Sequence, residues 1–103
     1  MNKSENSNKV GEEKLRFSVI MCAYNLEKIV ATAINSVLEQ RFKNFELIIV
    51  NDGSADNTLS VLKRFEKKDE RVKVINNEKN IGLSASRNKA IKEAKGEYIV
   101  HLD

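Results

Sequence analysis

The sequence has no proline, no tryptophan, one cysteine and only four glycines among its 103 residues. With Cys22 as the single cysteine, no disulfide can form within the chain, and a buried, inert thiol is expected there because it lies at the end of an apolar run. No apolar segment approaches the roughly 20 residues that a helix needs to cross a bilayer. The sequence therefore predicts no disulfide framework and no transmembrane segment, and it favours a cytoplasmic location.

The charged residues are mixed along the chain, with 18 basic and 15 acidic residues giving a net charge of +3. No basic block is present to suggest nucleic acid as a partner. The two tyrosines and four phenylalanines do not interleave with arginines, as a base-stacking surface would require. We therefore expect no nucleic-acid partner, and the small positive excess mildly favours an anionic ligand.

Residues 1–14 differ in composition from the rest of the chain. They are mostly Lys, Asn, Ser and Glu with a single valine. Such a stretch buries too little apolar surface to offset the entropy of ordering it, so we expect a disordered leader. The remainder, residues 15–103, suits one domain or part of one with a modest core, since 41% of the whole sequence is hydrophobic.

Strand and helix patterns alternate without a break from residue 15 onward. Apolar runs predict four strands, at 15–23, 45–50, 72–75 and 98–102. Apolar positions spaced three and four apart in the intervening stretches predict three helices. This alternation is typical of a parallel sheet with right-handed crossovers and helices on both faces. We therefore predict an α/β fold, a Rossmann-like three-layer α/β/α unit with a mainly parallel sheet of strand order 3-2-1-4.

Three local features follow from residue preferences. Asn25 is the expected N-cap of a first helix that begins at Leu26. Gly96 is expected just past the third helix in the left-handed conformation that ends many helices. The polar run 76–80 predicts an exposed loop after the third strand.

The loops that follow parallel strands lie at one edge of the sheet, where open α/β folds bind ligands. The loop after the first strand has no glycine, which excludes a dinucleotide-binding G-x-G-x-x-G motif and a P-loop. A diphosphate bound there would need its charge met by a metal or by side chains. A receiver module is disfavoured because this strand ends in Cys-Ala-Tyr instead of an acidic pair. Asp52 ends a buried strand before Gly53, so these residues alone leave it as a turn former or a ligand contact.

Five motifs in the same order and spacing resemble the family 2 glycosyltransferases. They are SVIMCAYNLE at 18–27, AINSVLEQ at 33–40, ELIIVNDGSADNT at 46–58, NIGLSASRN at 80–88 and GEYIVHLD at 96–103. The resemblance implies the GT-A fold, with residues 15–103 as the nucleotide-sugar-binding part, truncated at the Asp-x-Asp motif. It also implies a polysaccharide-building enzyme that transfers a sugar from a nucleotide diphosphate, usually with Mg²⁺ or Mn²⁺, to an acceptor hydroxyl with inversion.

The resemblance assigns the base-binding residues. Asp52 matches the carboxylate that accepts a hydrogen bond from a ring N–H of the base, and an acceptor-only group suits uracil, thymine or guanine. Tyr24 matches the residue that stacks on the base, with a packing aromatic as the alternative. Ala23 and Asn25 match residues that shape the loop beneath the base, and Glu27 matches a common acid of that loop.

The resemblance also assigns the groups around the diphosphate. Arg87 matches an arginine that neutralises the diphosphate or contacts the ribose, with a solvated helix arginine as the alternative. Asp103 matches the first aspartate of the Asp-x-Asp motif and is the single candidate metal ligand. His101 lies inside a strand, and we interpret it as structural.

No residue is assigned as the catalytic base, which the resemblance places beyond residue 103. We therefore expect the 103-residue chain alone to be inactive. The acceptor is open between a saccharide, a lipid-linked saccharide and a protein, and peripheral membrane binding of the full-length enzyme is open as well. An uncovered fourth strand favours a dimer through the sheet edge. The alternative function is a non-catalytic nucleotide-binding or interaction module.

Overall fold

The computed structural model describes residues 15–102. The predicted leader, residues 1–14, and the candidate metal ligand Asp103 lie outside the described residues. Seven elements alternate along the described chain: β1 (Phe17–Ala23), α1 (Val30–Leu38), β2 (Phe45–Asp52), α2 (Thr58–Lys68), β3 (Val72–Asn77), α3 (Leu83–Glu93) and β4 (Tyr98–Leu102). The predicted alternation of strands and helices is confirmed.

The four strands form one sheet of order β3-β2-β1-β4 in which every neighbouring pair is parallel. This is the predicted order 3-2-1-4. The register aligns the carboxyl ends of the three strands that precede helices: Ala23 lies opposite Asn51, and Asp52 lies opposite Asn77. The loops that follow β1, β2 and β3 therefore leave the sheet at the same edge.

Strand β2 is the centre of the core, since all eight of its residues are buried. Its side chains alternate between two apolar clusters, as expected for a sheet covered on both faces. Leu47 and Ile49 pack in the cluster that includes α1 and α2, whereas Ile48 and Val50 pack against Ala90 of α3. Burying each such side chain contributes about 1.5–3 kcal/mol, so the Ile-rich run explains why this strand is central.

The prediction that Asn25 caps the first helix is wrong. Helix α1 begins at Val30, with Ile29 at the N-cap position and no side-chain cap hydrogen bond. Residues 27–29 form a turn instead, in which the amide of Ile29 donates to the carbonyl of Leu26. Asn25 has a left-handed φ of 52°, which asparagine tolerates better than most residues, and its amide side chain bonds to another loop.

The prediction for Gly96 is also wrong, for a steric reason. Among the described residues the glycines with positive φ are Gly53 and Gly82. At Gly96 a Cβ atom would lie 2.6 Å from the carbonyl carbon of Phe17 and 2.7 Å from the amide nitrogen of Ser18. Glycine is needed here because the chain passes close to β1, and not because a helix ends in a left-handed residue.

The polar run after the third strand is only partly an exposed loop. Strand β3 continues to Asn77, two residues further than predicted, and the Asn77 side chain is buried. Residues 78–80 are exposed. The strand is longer because Asn76 and Asn77 pair with the last residues of β2, so their polar character does not prevent them from lying in the sheet.

Helices α1, α2 and α3 are too short, or too polar, to cross a bilayer, and no membrane-spanning helix occurs in residues 15–102.

Candidate functional site

A cleft of about 220 Å³ opens at the carboxyl edge of the sheet, beside the start of α3. It is lined by Cys22, Ala23, Tyr24, Asp52, Asn80, Gly82 and Leu83. Three of the residues that the sequence assigned to one site, Ala23, Tyr24 and Asp52, therefore meet in this cleft. The ring of Tyr24 is accessible to a ligand, since half of the residue's surface (50%) is exposed.

The carboxylate of Asp52 is held in one orientation. Its Oδ1 accepts hydrogen bonds from the amide of Ile81 at 2.8 Å and from Nδ2 of Asn77 at 3.1 Å, and its Oδ2 accepts one from the amide of Gly82 at 3.0 Å. Burial, with 5% of Asp52 exposed, raises its pKa, but the hydrogen bonds from these donors and from Ser86 hold the pKa below its ordinary value. Asp52 is therefore an anion with a fixed direction at neutral pH.

The loop after β2 and the loop after β3 touch each other backbone to backbone at the cleft. A Cβ atom on Gly53, which has φ +71°, would lie 2.4 Å from the amide nitrogen of Asn80. Nδ2 of Asn80 also donates to the carbonyl of Asp52 at 3.3 Å. Because Gly53 permits this close approach, the Asn80 and Gly82 wall of the cleft is fixed to the end of β2.

Asn77 and Ser86 belong to the same hydrogen-bond network and were missed in the sequence. Nδ2 of Asn77 contacts Oγ of Ser86 at 3.1 Å, and Nζ of Lys89 donates to Oδ1 of Asn77 at 2.6 Å. The signal that could have identified Asn77 is the strand order itself. In the order 3-2-1-4 the end of β3 lies beside the end of β2, so the residue at that point contacts Asp52.

Asn25 and Glu27 lie beside the cleft and join two loops. The amide of Asn25 donates to Oγ of Ser54 at 2.9 Å, and Oδ1 of Asn25 accepts from the amide of Ala55 at 2.7 Å. Oε1 of Glu27 accepts from the amide of Asn57 at 3.2 Å. Both residues line a separate depression of about 300 Å³. Their contacts hold the loop that carries Tyr24 against the loop that follows β2.

Cys22 is only partly buried and lines the cleft, which differs from the buried thiol that the sequence predicted. Burial raises the pKa of its thiol, while the charge of Arg87 lowers it and the charge of Asp52 raises it. The thiol is therefore protonated at neutral pH, as expected for an inert cysteine. Arg87 is not among the residues that line the cleft, but its charge acts on the Cys22 thiol.

The residues described here do not form a metal site by themselves. Within residues 15–102 no group of three or more His, Cys, Asp and Glu side chains is arranged to hold a metal ion. The one candidate ligand from the sequence, Asp103, lies outside that range. The donor set of the described chain thus does not fit a bound divalent cation without further ligands.

A family model described as Glycosyl transferase family 2 matches residues 18–103. The UDP-Glc:alpha-D-GlcNAc-diphosphoundecaprenol beta-1,3-glucosyltransferase WfgD of Escherichia coli is 42% identical over 86 residues, covering 84% of the chain and 33% of that protein. The chain spans about a third or less of the first curated relatives it matches, 27% of one and 34% of another.

Solved structures show the same fold. TarS 1-349 of S. aureus in complex with UDP superposes with a TM-score of 0.78 at 37% identity. The match covers 85% of the chain described here and 27% of the TarS chain. A mannosyltransferase of Pyrobaculum calidifontis in complex with GDP-Man and Mn²⁺ superposes with a TM-score of 0.76 at 22% identity, with the same coverage of 85% and 27%. Because the mannosyltransferase is only 22% identical to the chain, its similarity supports the fold and nothing further.

Proposed function

The chain belongs to glycosyl transferase family 2, and from this membership we propose that it is the donor-binding part of an enzyme that transfers a sugar from a nucleotide diphosphate to an acceptor hydroxyl. Its α/β fold matches that of the GT-A glycosyltransferases. The observation that carries the proposal is the cleft in which an exposed tyrosine ring and a fixed carboxylate line the same space. An aromatic face stacks on any base, and an anionic acceptor selects among bases by their ring N–H.

Within this proposal the nucleotide is UDP. An ionised carboxylate only accepts hydrogen bonds, so Asp52 suits the ring N–H of uracil and disfavours cytosine and adenine, which have none. The UDP bound by TarS, which is 37% identical to the chain, supports this choice, as does the UDP-Glc in the name of WfgD. Guanine also has a ring N–H, so GDP is the competing nucleotide.

Each remaining site residue has a proposed role. Tyr24 stacks on the base and Ala23 forms the floor beside it. Asn25 and Glu27 keep the loop of Tyr24 in place through their contacts with the next loop, and they act by positioning it. Arg87 supplies positive charge for the diphosphate, and its five donors suit phosphate oxygens.

Three further parts of the proposal concern the whole enzyme. A divalent cation, Mg²⁺ or Mn²⁺, assists the reaction with Asp103 as one of its ligands. The sugar is transferred with inversion, and the catalytic base and the acceptor site lie outside the described residues. We propose a polysaccharide or a lipid-linked saccharide as acceptor, and a cytoplasmic enzyme that binds peripherally to the membrane.

Calorimetric titration of the chain with UDP and Mn²⁺ tests the proposal. We expect binding that weakens about tenfold in Tyr24→Ala, because base stacking contributes about 1–3 kcal/mol. Asp52→Ala should weaken it about tenfold or more, since a hydrogen bond to a charged group is lost. CDP should bind much more weakly than UDP. A matched control, Tyr98→Ala on β4, should keep the affinity within about twofold.

Absence of binding to every nucleoside diphosphate by a folded chain would contradict the proposal and favour the second candidate, an interaction module. The outer strand β4 supports that candidate, because Tyr98, Ile99 and Val100 are exposed. A groove of about 440 Å³ between β1, β4 and α1 continues this apolar surface.

We propose that two copies pair through β4, since an exposed edge strand is a template for another chain. Light scattering of Ile99→Lys, expected to be monomeric, tests the pairing.

A further inference from the structure

The amide side chain of Asn77 lies at the centre of the hydrogen bonds that hold Asp52. Only 3% of Asn77 is exposed, and the sheet register sets it directly opposite Asp52. Nδ2 donates to Oδ1 of Asp52 at 3.1 Å and contacts Oγ of Ser86 at 3.1 Å, and Oδ1 accepts from Nζ of Lys89 at 2.6 Å. A buried amide thus has both its donor and its acceptor engaged.

The chemistry of the partners explains why asparagine stands here. The ammonium of Lys89 can only donate and the carboxylate of Asp52 can only accept, so the amide oxygen must point to the lysine and the amide nitrogen to the aspartate. An aspartate in place of Asn77 would set two carboxylates against each other. A leucine would fill the space but would leave Asp52 one donor short.

The network also connects Asp52 to helix α3. Lys89 and Ser86 lie on that helix, and Arg87 lies between them in the sequence. Hydrogen bonds in a chain polarise one another, so the positive charge of Lys89 favours the negative charge of Asp52 through the Asn77 amide. Loss of the amide would remove one link between the carboxylate and α3, while Ser86 and the backbone donors at 81 and 82 would remain.

We propose that Asn77 is a positioning residue for the donor nucleotide: it fixes the direction of the Asp52 carboxylate toward the base and ties it to the helix that carries Arg87. This inference rests on the proposed function. Asn77 does not line the cleft. Its effect on a nucleotide therefore passes through Asp52.

Two variants and two matched controls test this role in the full 103-residue chain. Asn77→Ala should weaken the binding of UDP about tenfold and raise the pKa of the Asp52 carboxyl, because a donor to the anion is removed. Asn76→Ala should change neither, although Asn76 also lies at the end of β3 and accepts from Asn51 at 2.9 Å. Calorimetry measures the affinity, and carbon-13 NMR titration of the carboxyl measures the pKa without nucleotide.

The second pair of variants guards against unfolding. Lys89→Met keeps the aliphatic stem of an exposed residue and should weaken UDP binding by roughly threefold, since it removes only the distal charge. Lys92→Met on the same helix should have no effect. Arg87 and the neutral Cys22 thiol near Asp52 are the same in all four variants, so a change in the pKa of Asp52 is assigned to the network.

The outcomes separate this inference from the proposed function. Unchanged UDP affinity in Asn77→Ala would overturn the positioning role and leave the function intact. An equal loss in Asn76→Ala would also overturn it, because the end of β3 would then matter only as structure. A folded wild-type chain that binds no UDP would overturn the proposed function and the nucleotide role together, and the pKa of Asp52 would still show whether Asn77 holds it.

Discussion

Strand β2 carries a buried carboxylate at each end, and the two ends use it differently. Asp52 accepts from the amides of Ile81 and Gly82 just before α3, while Oε2 of Glu46 accepts from the amide of Lys95 just after that helix, at 2.6 Å. Both acids thus fasten helix α3 to the same face of the strand. Asp52 lines the cleft at its end of the strand, whereas Glu46 is enclosed, with 1% of its surface exposed.

The hydrogen-bond partners of the two acids show the difference. Both oxygens of Asp52 accept hydrogen bonds, whereas Oε1 of Glu46 has none from the described residues and lies 4.0 Å from Nζ of Lys73. Glu46 is 1% exposed and is enclosed by Ser18, whose Oγ donates to it at 2.6 Å. Both carboxylates therefore fasten α3, but the Asp52 carboxylate faces a cleft and the Glu46 carboxylate is enclosed in the interior.

Removal of Glu46 should have the largest effect on stability. Glu46→Ala leaves the Ser18 hydroxyl and the Lys95 amide without their acceptor in the interior, which we expect to lower the free energy of unfolding by about 3 kcal/mol. Glu46→Gln keeps an acceptor for both and should cost about 1 kcal/mol. Urea denaturation measures both values. A Glu46→Ala chain of wild-type stability would show that the sheet edge at the amino ends of the strands does not depend on the hydrogen bonds that Glu46 accepts from Ser18 and Lys95.

Alanine substitutions at Gly53 and Gly96, the two glycines that lie close to the backbone of another segment, compare the two ends of the strands directly. Gly53→Ala and Gly96→Ala each place a Cβ within 2.6 Å of backbone atoms, so both should lower the free energy of unfolding by about 2 kcal/mol. Only Gly53→Ala should also weaken UDP binding, because Gly53 touches the cleft wall at Asn80. Gly82→Ala meets no atom within 4 Å and serves as the control for φ strain alone. Equal UDP affinity in Gly53→Ala and Gly96→Ala would contradict the expected difference between the two ends of the strands.

The pH dependence of stability should show Asp52 as an ionised group. Its folded-state pKa is lowered, so its stabilisation is complete above the ordinary pKa of 3.8 and is lost as the pH falls through the lower folded-state value. Asp52→Asn should remove this part of the acid sensitivity. Asp56 and Asp69 also have lowered pKa values, so the test is the difference between wild type and variant in urea midpoints from pH 5 down to about 2.

The smallest effect is expected at Lys73. Its ammonium is half exposed and 4.0 Å from Glu46, so Lys73→Met should change the free energy of unfolding by about 0.5 kcal/mol, less at high salt. Chemical denaturation at two salt concentrations measures this. A loss as large as that of Glu46→Ala would mean that the ion pair, and not the hydrogen bonds to Ser18 and Lys95, holds the amino edge.

The main features of the fold could be predicted because they depend on apolar periodicity. The Ile-rich run of β2 predicted a buried strand, and the alternation of strands and helices predicted a parallel sheet, for which the Rossmann-like order 3-2-1-4 was expected. The start of α1 could not be predicted, because the side chain of Asn25 bonds to a loop that is distant in sequence. Asn77 was missed because a polar run looks exposed until the neighbouring strand is placed beside it.

The residues of the candidate site, too, could be predicted only as far as they depend on strand order and not on contacts between distant segments. The meeting of Tyr24 and Asp52 follows from the parallel order, since both end strands at one edge. That Asn25 and Glu27 brace loops, and that Glu46 is buried within an apolar run, depends on contacts between distant segments that no local pattern contains.

The fastening of α3 at both ends has a consequence for its dynamics. Helix ends normally fray, and their amide hydrogens exchange with solvent well before those of the core. The amides of Ile81, Gly82 and Lys95 are instead bonded to carboxylates of the central strand. Their hydrogens should therefore exchange slowly for amides at the ends of a helix. Helix α3 would open only when strand β2 itself separates from it, so the helix that carries Arg87 keeps its position through local fluctuations.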